Sequence, residues 1–291
     1  YGMHWPFKQH QTARNIKIFP HHEILKKSGA CFGVSGGYER PMWFSMDNQE
    51  PKYNYSYRYQ NWYPSVEFET KNCRKNVGLF DLTPFSKFEL KGDKAFEELQ
   101  RICTANIKNE PGKCVYTQML NNDGGIEADV TVVCLERNYF RIISSAATRE
   151  RDKFHINKNL TTNIELTDVT DKYCVFGLFG PKSRELISSI SKEDFSNKNF
   201  KFATGKKIKI NNVETWVQRL SYVGELGYEI YVEFDKAVEI YSLLINEGKK
   251  YNISNCGMHS LDIMRMENGF LHWGHDISPE ENQYQAGLEF A

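Results

Sequence analysis

Alternating apolar and polar positions mark a run of three strands near the middle of the chain. Residues 114–120 (CVYTQML), 126–136 (IEADVTVVCLE) and 139–145 (YFRIISS) are rich in β-branched and aromatic residues and alternate with a period of two. The short sequences between them, NNDGG and RN, contain residues that favour tight turns. These three segments predict an antiparallel β-meander.

Other strands are predicted on both sides of this meander, at residues 85–90, 173–180 and 227–234. A hairpin is predicted over residues 206–222, with Asn211 and Asn212 at its turn, because asparagine tolerates the positive φ that such turns require.

Helical segments separate these runs of strands. They are predicted at residues 21–29, 65–76, 93–102, 146–160, 235–250 and 259–270. Two segments rich in aromatic residues, 32–44 and 45–64, are predicted to be loops. The second of these is either a loop packed on the core by its own rings or a stacking surface. Strands in runs of two or three between helices predict an α+β fold with mostly antiparallel sheets.

Charge and hydropathy argue against two classes of partner. Lys plus Arg number 37 and Asp plus Glu number 37, so the formal charge is zero. A protein that neutralises many phosphates usually carries a basic excess, and we therefore expect no nucleic acid partner. The longest apolar runs, such as residues 130–135, are too short to cross a bilayer, and we expect no membrane insertion.

Cysteine usage indicates a reducing compartment. The seven cysteines are scattered and include no C-x-x-C pair, which disfavours a disulfide framework or a zinc site. Cys114, Cys134 and Cys174 lie in apolar strand-like runs, where a buried free thiol is the usual interpretation.

Several familiar catalytic motifs are missing from the sequence. No G-x-G-x-x-G opens a helix after a strand, and neither a P-loop nor a G-x-S-x-G elbow occurs. His272 and His275 offer two imidazoles, but no carboxylate-rich set surrounds them, so we predict no metal site.

The strand at 126–136 carries the first candidate chemistry. Glu127 and Asp129 are two residues apart and share one face, whereas Ala128 and Val130 point to the other face. The pair is either an exposed acidic edge or a carboxylate facing a ligand, with its pKa raised by burial and available for proton transfer. Spacing alone favours the exposed edge.

A second candidate lies where two glycines bracket a tight loop. Gly224 and Gly227 follow Tyr222 and precede Glu229. Such glycines occur where the backbone approaches a ligand closely, and equally in a plain hairpin turn.

Five segments, taken together and in this order, resemble the aminomethyltransferase (glycine-cleavage T-protein) family. The resemblance covers about residues 19–291. The segments include an opening helix with a Gly-rich loop, a V-G-L-F-D segment, an N-x-x-G-G-I strand pair, an R-x-x-Y-x-G-E-x-G-x-E signature and a final helix and loop. They occupy residues 19–44, 73–95, 114–133, 219–232 and 261–290.

Some features are most similar to the C-terminal, folate-binding half of sarcosine and dimethylglycine dehydrogenases. These are the opening YGMHWP, the segment YQNWYPSV, the segment FLHWGHDI, and Ala128 in place of the first Asp of the family's pair. The resemblance implies that residues 1–18 are the tail of a preceding flavin domain or a linker. It also implies that residues 19–291 are a folate-binding domain that stops before the family's C-terminal β-barrel-like domain.

The resemblance also implies roles for individual residues. Asp129 matches the family's key aspartate, which orients or deprotonates the folate nitrogen. Four further positions match the family's pterin site: Tyr116, Tyr222, Glu229 and, near the family's asparagine, Ser144. The arginine that meets the folate tail in the family falls at Leu261, so that contact is expected to be absent, and Arg265 is expected to belong to the helix framework.

The expected function is tetrahydrofolate-dependent capture of an iminium, derived from sarcosine or dimethylglycine, as 5,10-methylenetetrahydrofolate. FAD is expected only in a flavin domain in cis, and the expected location is the bacterial cytoplasm or the mitochondrial matrix. Alternatives are a flavin-independent folate-dependent demethylase or aminomethyltransferase, and a non-catalytic regulatory protein of the same fold.

Overall fold

A computed structural model describes residues 8–46 and 49–291. Within these ranges the chain forms thirteen strands and seven α-helices. In chain order, β1 to β13 are Ala30–Ser35, Tyr38–Phe44, Val77–Asp81, Ser86–Lys91, Cys114–Leu120, Ile126–Glu136, Tyr139–Ser144, Leu166–Asp168, Tyr173–Phe179, Gly205–Ile210, Val213–Gln218, Gly227–Glu233 and Ile253–Cys256. The helices α1 to α7 are His22–Lys27, Tyr63–Lys75, Ala95–Ile102, Arg149–Asn159, Ser183–Ser189, Ala237–Gly248 and Met258–Glu267. None of the helices in the described residues is long and apolar enough to span a bilayer.

The strands form three sheets. A six-stranded sheet has the order β10-β11-β12-β9-β3-β13, a five-stranded sheet has the order β5-β6-β7-β4-β8, and β1 and β2 form a separate hairpin. Every pairing is antiparallel except that of β13 with β3. The predicted α+β class, with mostly antiparallel sheets, is therefore confirmed.

The two large sheets share a core that positions the candidate site. Cys114 and Val133 of the five-stranded sheet pack in one cluster with Trp216 and Tyr231 of the six-stranded sheet and with Leu261 of α7. The outer face of each sheet packs against helices in a separate apolar cluster. One face of β6 therefore looks toward the other sheet.

The predicted meander and the hairpin predicted over residues 206–222 are both present. Strands β5, β6 and β7 pair consecutively, with a register shift between Met119 and Leu120. Asn211 and Asn212 have φ of 47° and 68°, the left-handed conformation that a two-residue hairpin turn needs. All seven cysteines are free and buried, as was predicted for Cys114, Cys134 and Cys174.

The prediction of a loop over residues 32–44 is wrong, because this segment contains most of the hairpin β1–β2. Gly36 and Gly37 have φ of 58° and 84° and form its two-residue turn. The flanking residues alternate less clearly than in β6, and Pro41 within the run weakens the strand signal. The aromatic segment that follows packs partly on its own rings, with Tyr53 in contact with Tyr55 and Trp62, while Tyr59 is exposed.

Candidate functional site

Asp129 lies on β6 with its side chain on the face that looks toward the six-stranded sheet. Register places it opposite Gln118 of β5, and Tyr116 is opposite Thr131, so Tyr116 and Gln118 share that face. Ala128 and Val130 are buried on the other face, as the alternation predicted. Asp129 Oδ1 accepts a hydrogen bond from Gln118 Nε2 at 2.9 Å.

Gln118 is held in this orientation by a second contact. It is fully buried, and its Oε1 accepts a hydrogen bond of 3.0 Å from Gln283 Nε2. The contact with Gln283 fixes the position of the Gln118 amide oxygen. The amide nitrogen of Gln118 therefore faces Asp129.

The environment of Asp129 is suited to proton transfer near neutral pH. Burial raises the pKa of its carboxyl to about 6, and the hydrogen bonds from Gln118 and Tyr116 oppose that shift without cancelling it. A carboxyl with such a pKa exchanges protons readily near neutrality. Glu127, on the same face, is instead paired with Arg151 at 2.6 Å.

Two tyrosines, Tyr116 and Tyr222, lie near Asp129. Burial and then the Asp129 carboxylate raise the pKa of Tyr116, which also hydrogen-bonds to that carboxylate. Burial raises the pKa of Tyr222, and the Asp129 carboxylate adds to the rise. The Tyr222 hydroxyl donates to the carbonyl of Leu271, and its ring stacks on Phe270 with 6.0 Å between centroids. The structure thus brings Tyr116, Asp129 and Tyr222 together.

Glu229 faces this group from β12 of the opposite sheet. Its Oε2 accepts hydrogen bonds from Gln218 Nε2 at 2.7 Å and from the Tyr231 hydroxyl at 3.1 Å. Burial raises the pKa of Glu229, and its charge in turn raises the pKa of the Cys114 thiol. Because Cys114 is two residues from Tyr116 on one face of β5, Glu229 lies beside the same face.

Ser144 is not part of this arrangement. Ile143 pairs with Thr131 and shares the face of Asp129, so the side chain of Ser144 points to the opposite face, toward α4. There its hydroxyl, with that of Thr148, opposes the burial that raises the pKa of Asp152 to about 6. The structure separates Ser144 from the other four predicted residues by the thickness of the sheet.

Leu261 and Arg265 both lie on α7 but have different surroundings. Leu261 is buried in the apolar cluster between the sheets and offers no charge. Arg265 donates to Asp262 at 2.7 Å, to the carbonyl of Phe270 at 3.1 Å and to Asp276. It ties α7 to the loop that follows.

The segment after α7 runs across the end of β6. The Trp273 indole N–H donates to the carbonyl of Ile126 at 2.8 Å, and the N–H of Ile126 donates to the carbonyl of Glu281 at 2.9 Å. A Cβ at Gly125 would lie 1.7 Å from the carbonyl oxygen of Pro279, so only glycine permits this crossing. His272 lies within this segment, and its charge lowers the pKa of Asp129.

Sequence reasoning missed Gln118 and Gln283, and it named His272 without linking it to Asp129. Gln118 is on the same face as Tyr116 by the period of two, but its position opposite Asp129 depends on the register of β5 against β6. His272 and His275 have ring centroids 4.3 Å apart, and the described residues contain no group of three or more His, Cys, Asp or Glu arranged to hold a metal.

The two large sheets thus bring together a carboxylate from each sheet, Asp129 and Glu229, with Tyr116 and Tyr222 beside Asp129. Comparison with known proteins places the chain more narrowly. The family described as GCVT N-terminal domain matches residues 21–291, so the chain belongs to the aminomethyltransferase family.

Similar proteins include long oxidases and dehydrogenases. The 4-methylaminobutanoate oxidase (formaldehyde-forming) of Paenarthrobacter nicotinovorans is 40% identical over 291 residues, which cover 100% of this chain and 35% of that protein. The mitochondrial dimethylglycine dehydrogenase of Rattus norvegicus is 31% identical over 269 residues, covering 91% of this chain and 31% of that protein. The chain therefore spans about a third of the length of these relatives.

A solved structure confirms the fold. Aminomethyltransferase T of the glycine cleavage system from Bartonella henselae superposes with a TM-score of 0.78 at 22% sequence identity, and the match covers 95% of this chain and 69% of that one.

Proposed function

We propose that this domain transfers a one-carbon unit from an iminium to tetrahydrofolate, yielding 5,10-methylenetetrahydrofolate and a free amine. The observation that carries the proposal is the pairing of Asp129, with its raised pKa, with Tyr116 and Tyr222 in a chain of the aminomethyltransferase family. Tetrahydrofolate supplies the nucleophilic nitrogens of this reaction.

The residues present fit a pterin by their chemistry. Glu229 receives both of its hydrogen bonds on Oε2, so its other oxygen is available to accept from the polar edge of a ring. Tyr116 and Tyr222 offer aromatic surface, and Tyr116 is 37% exposed. Asp129 orients a ring nitrogen or accepts its proton, while Gln118 holds the carboxylate in place.

The donor we propose is the iminium of an oxidised N-methylated amino acid. The names of both long relatives describe enzymes that act on such compounds, 4-methylaminobutanoate in one case and dimethylglycine in the other. We propose further that the domain, residues 19–291, follows a flavin domain in cis that holds FAD and produces the iminium. On this proposal residues 1–18, of which the structure describes 8–18, connect the two domains, and the protein works in the bacterial cytoplasm or the mitochondrial matrix.

A second candidate is release of the one-carbon unit to water as formaldehyde. It is favoured by the name of the 40% identical relative, which is described as formaldehyde-forming. The two candidates differ in whether tetrahydrofolate binds.

The test is calorimetric titration of the chain with tetrahydrofolate under reducing conditions. We expect saturable binding of one ligand per chain, strongly weakened in Tyr222→Ala, which removes the ring stacked on Phe270. Tyr59→Ala is the matched control, because Tyr59 is 83% exposed and distant in sequence from Tyr116, Asp129, Tyr222 and Glu229, and its binding should equal that of the wild type. No binding by a chain that circular dichroism shows to be folded would contradict the proposal and favour the second candidate.

A further inference from the structure

Arg40 on β2 is a partly buried arginine that has no protein partner. Its Nε is buried and unpaired, and its guanidinium forms no hydrogen bond or ion pair with any residue that the structure describes. Burial lowers its pKa to about 10, so the group remains charged at neutral pH. An unpaired, partly desolvated charge is unfavourable, and buried charges in proteins are normally paired.

The carboxylates near Arg40 are already engaged. Glu39, its neighbour in sequence, accepts two hydrogen bonds of 2.7 Å from the fork of Arg14. Asp81 pairs with His21 at 2.9 Å, and Asp262 accepts from Arg265 at 2.7 Å. Arg40 is therefore left with donors that a carboxylate from outside the chain can use.

The side chains around Arg40 form a neutral, aromatic wall. The Tyr53 hydroxyl and His259 Nε2 are 2.9 Å apart, and the Trp62 ring stacks on the His259 ring with 5.4 Å between centroids. Burial lowers the pKa of His259 to about 4, so this imidazole is uncharged at neutral pH and does not compete with Arg40 for an anion. Both Tyr53 and His259 interact electrostatically with Arg40.

This group is connected to the Asp129 site by Asp262 of α7. Asp262 interacts electrostatically with Arg40, and His272 Nδ1 lies 4.0 Å from Asp262 Oδ1. His272 in turn acts on Asp129. The Asp262–His272 pair therefore interacts electrostatically with both Arg40 and Asp129.

We propose that Arg40, beside the Tyr53 hydroxyl, binds the carboxylate of a small organic acid that reacts at Asp129. The inference rests on the proposed function, in which two reactants carry carboxylates, the glutamate tail of tetrahydrofolate and the amino-acid donor. The planar fork of arginine binds either carboxylate through two parallel hydrogen bonds.

The test compares Arg40→Met with the wild type in titrations with three probes. The probes are tetrahydrofolate, tetrahydropteroate, which lacks the glutamate, and 4-methylaminobutanoate. If Arg40 holds the folate tail, the substitution weakens tetrahydrofolate binding about 10- to 100-fold and leaves tetrahydropteroate unchanged. If Arg40 holds the donor, the same loss appears with 4-methylaminobutanoate alone.

Arg137→Met is the matched control, because Arg137 is exposed on the turn between β6 and β7, and all three affinities should equal those of the wild type. Equal affinities of Arg40→Met and wild type for every probe would overturn the inference. So would a folded wild-type chain that binds none of the three. If the wild type binds only 4-methylaminobutanoate, the folate proposal fails while the Arg40 comparison still decides this inference.

Folding of the variant provides an independent check. Because Arg40 has no protein partner, Arg40→Met should melt no lower than the wild type. Should Arg40→Met fail to fold, Arg40→Lys, which keeps the charge and loses the fork, is measured in the same titrations and should also bind the selected probe more weakly. Wild-type affinity for every probe in Arg40→Lys would then overturn the inference.

Discussion

Glu69 and Asp129 are two buried or partly buried carboxyl groups with raised pKa values, about 7 and about 6, and yet their surroundings differ in kind. Glu69 Oε1 accepts from the N–H of Phe44 at 2.7 Å, and its Oε2 accepts from the N–H of Gly257 at 2.8 Å and from the Ser260 hydroxyl. It fastens α2 to β2 and to the start of α7. Asp129, in contrast, accepts hydrogen bonds from the side chains of Gln118 and Tyr116 and from no backbone N–H of the described residues.

The difference shows that a raised pKa does not by itself identify a functional carboxyl group. Both shifts arise from burial, and both are opposed by hydrogen bonds. What separates the two groups is the donor. Backbone N–H groups fix Glu69 between elements, whereas side chains, Gln118 and Tyr116, hold Asp129.

The largest expected effect comes from Asp129→Asn. Asparagine keeps the acceptor that Gln118 uses but does not accept a proton, so we expect methylene transfer to fall about 10²- to 10⁴-fold while folate binding is retained. The measurement is the formation of 5,10-methylenetetrahydrofolate from tetrahydrofolate and the iminium that formaldehyde forms with a secondary N-methylated amino acid, above the uncatalysed rate. An unchanged rate would remove Asp129 from the mechanism.

The same variant should not be destabilised. The folded-state pKa of Asp129 is raised, so the associated stability is present at low pH and is lost as the pH rises through about 6. At pH 8 the neutral asparagine avoids this loss. Denaturant unfolding should therefore give an unfolding free energy equal to or above that of the wild type.

Glu69→Gln, in contrast, should lower the unfolding free energy. Its amide NH2 would face a backbone N–H that now donates to a carboxylate oxygen, so the unfolding free energy should fall by about 2–4 kcal/mol. Glu67→Gln on the same helix is the control, since Glu67 is exposed and pairs only with Lys71, and its effect should stay within about 0.5 kcal/mol. Equal unfolding free energies of the two variants would contradict the structural role that we assign to Glu69.

A smaller effect is expected from pH. Because the Asp129 carboxylate is the form that accepts a proton, the transfer rate should rise through pH 6 and fall about tenfold for each unit below it. Asp129→Asn, assayed in the same buffers, reports the pH dependence of the substrates themselves. The same slope in both proteins would show that another group titrates.

The smallest effect is expected from Tyr116→Phe. Its hydroxyl donates to the Asp129 carboxylate and lowers its pKa, so removing it should move the midpoint of the pH–rate profile upward by less than about one unit. Tyr284→Phe, at an exposed tyrosine, should leave the midpoint in place. A downward shift in Tyr116→Phe would contradict the proposed contact.

The strand β6 was predictable because its first half, residues 126–132, alternates regularly, and that alternation correctly placed Glu127 and Asp129 on one face. Whether that face met solvent or another sheet depended on tertiary packing. The same period of two explains the misplacement of Ser144, since a shift of one residue reverses the face.

The register between strands and the contacts between sheets could not be predicted from the sequence pattern. The pairing of Gln118 with Asp129 depends on a register shift at Met119, and the approach of Glu229 depends on how two sheets stack. The hairpin β1–β2 was missed although Gly36 and Gly37 mark its turn, because its strands do not alternate cleanly. The lack of a partner for Arg40 appears only once every nearby carboxylate is assigned.

The parallel pairing of β3 with β13 has a consequence for synthesis on the ribosome. Val77 pairs with Ile253, so β3 gains β13 as its second neighbouring strand only after residues up to Cys256 have been synthesised. Until then one edge of β3 offers unpaired backbone groups, which are a template for aggregation. Such distant pairing also slows folding, since a long loop must close first. The nascent chain is therefore expected to depend on chaperones until residue 256 has left the exit tunnel.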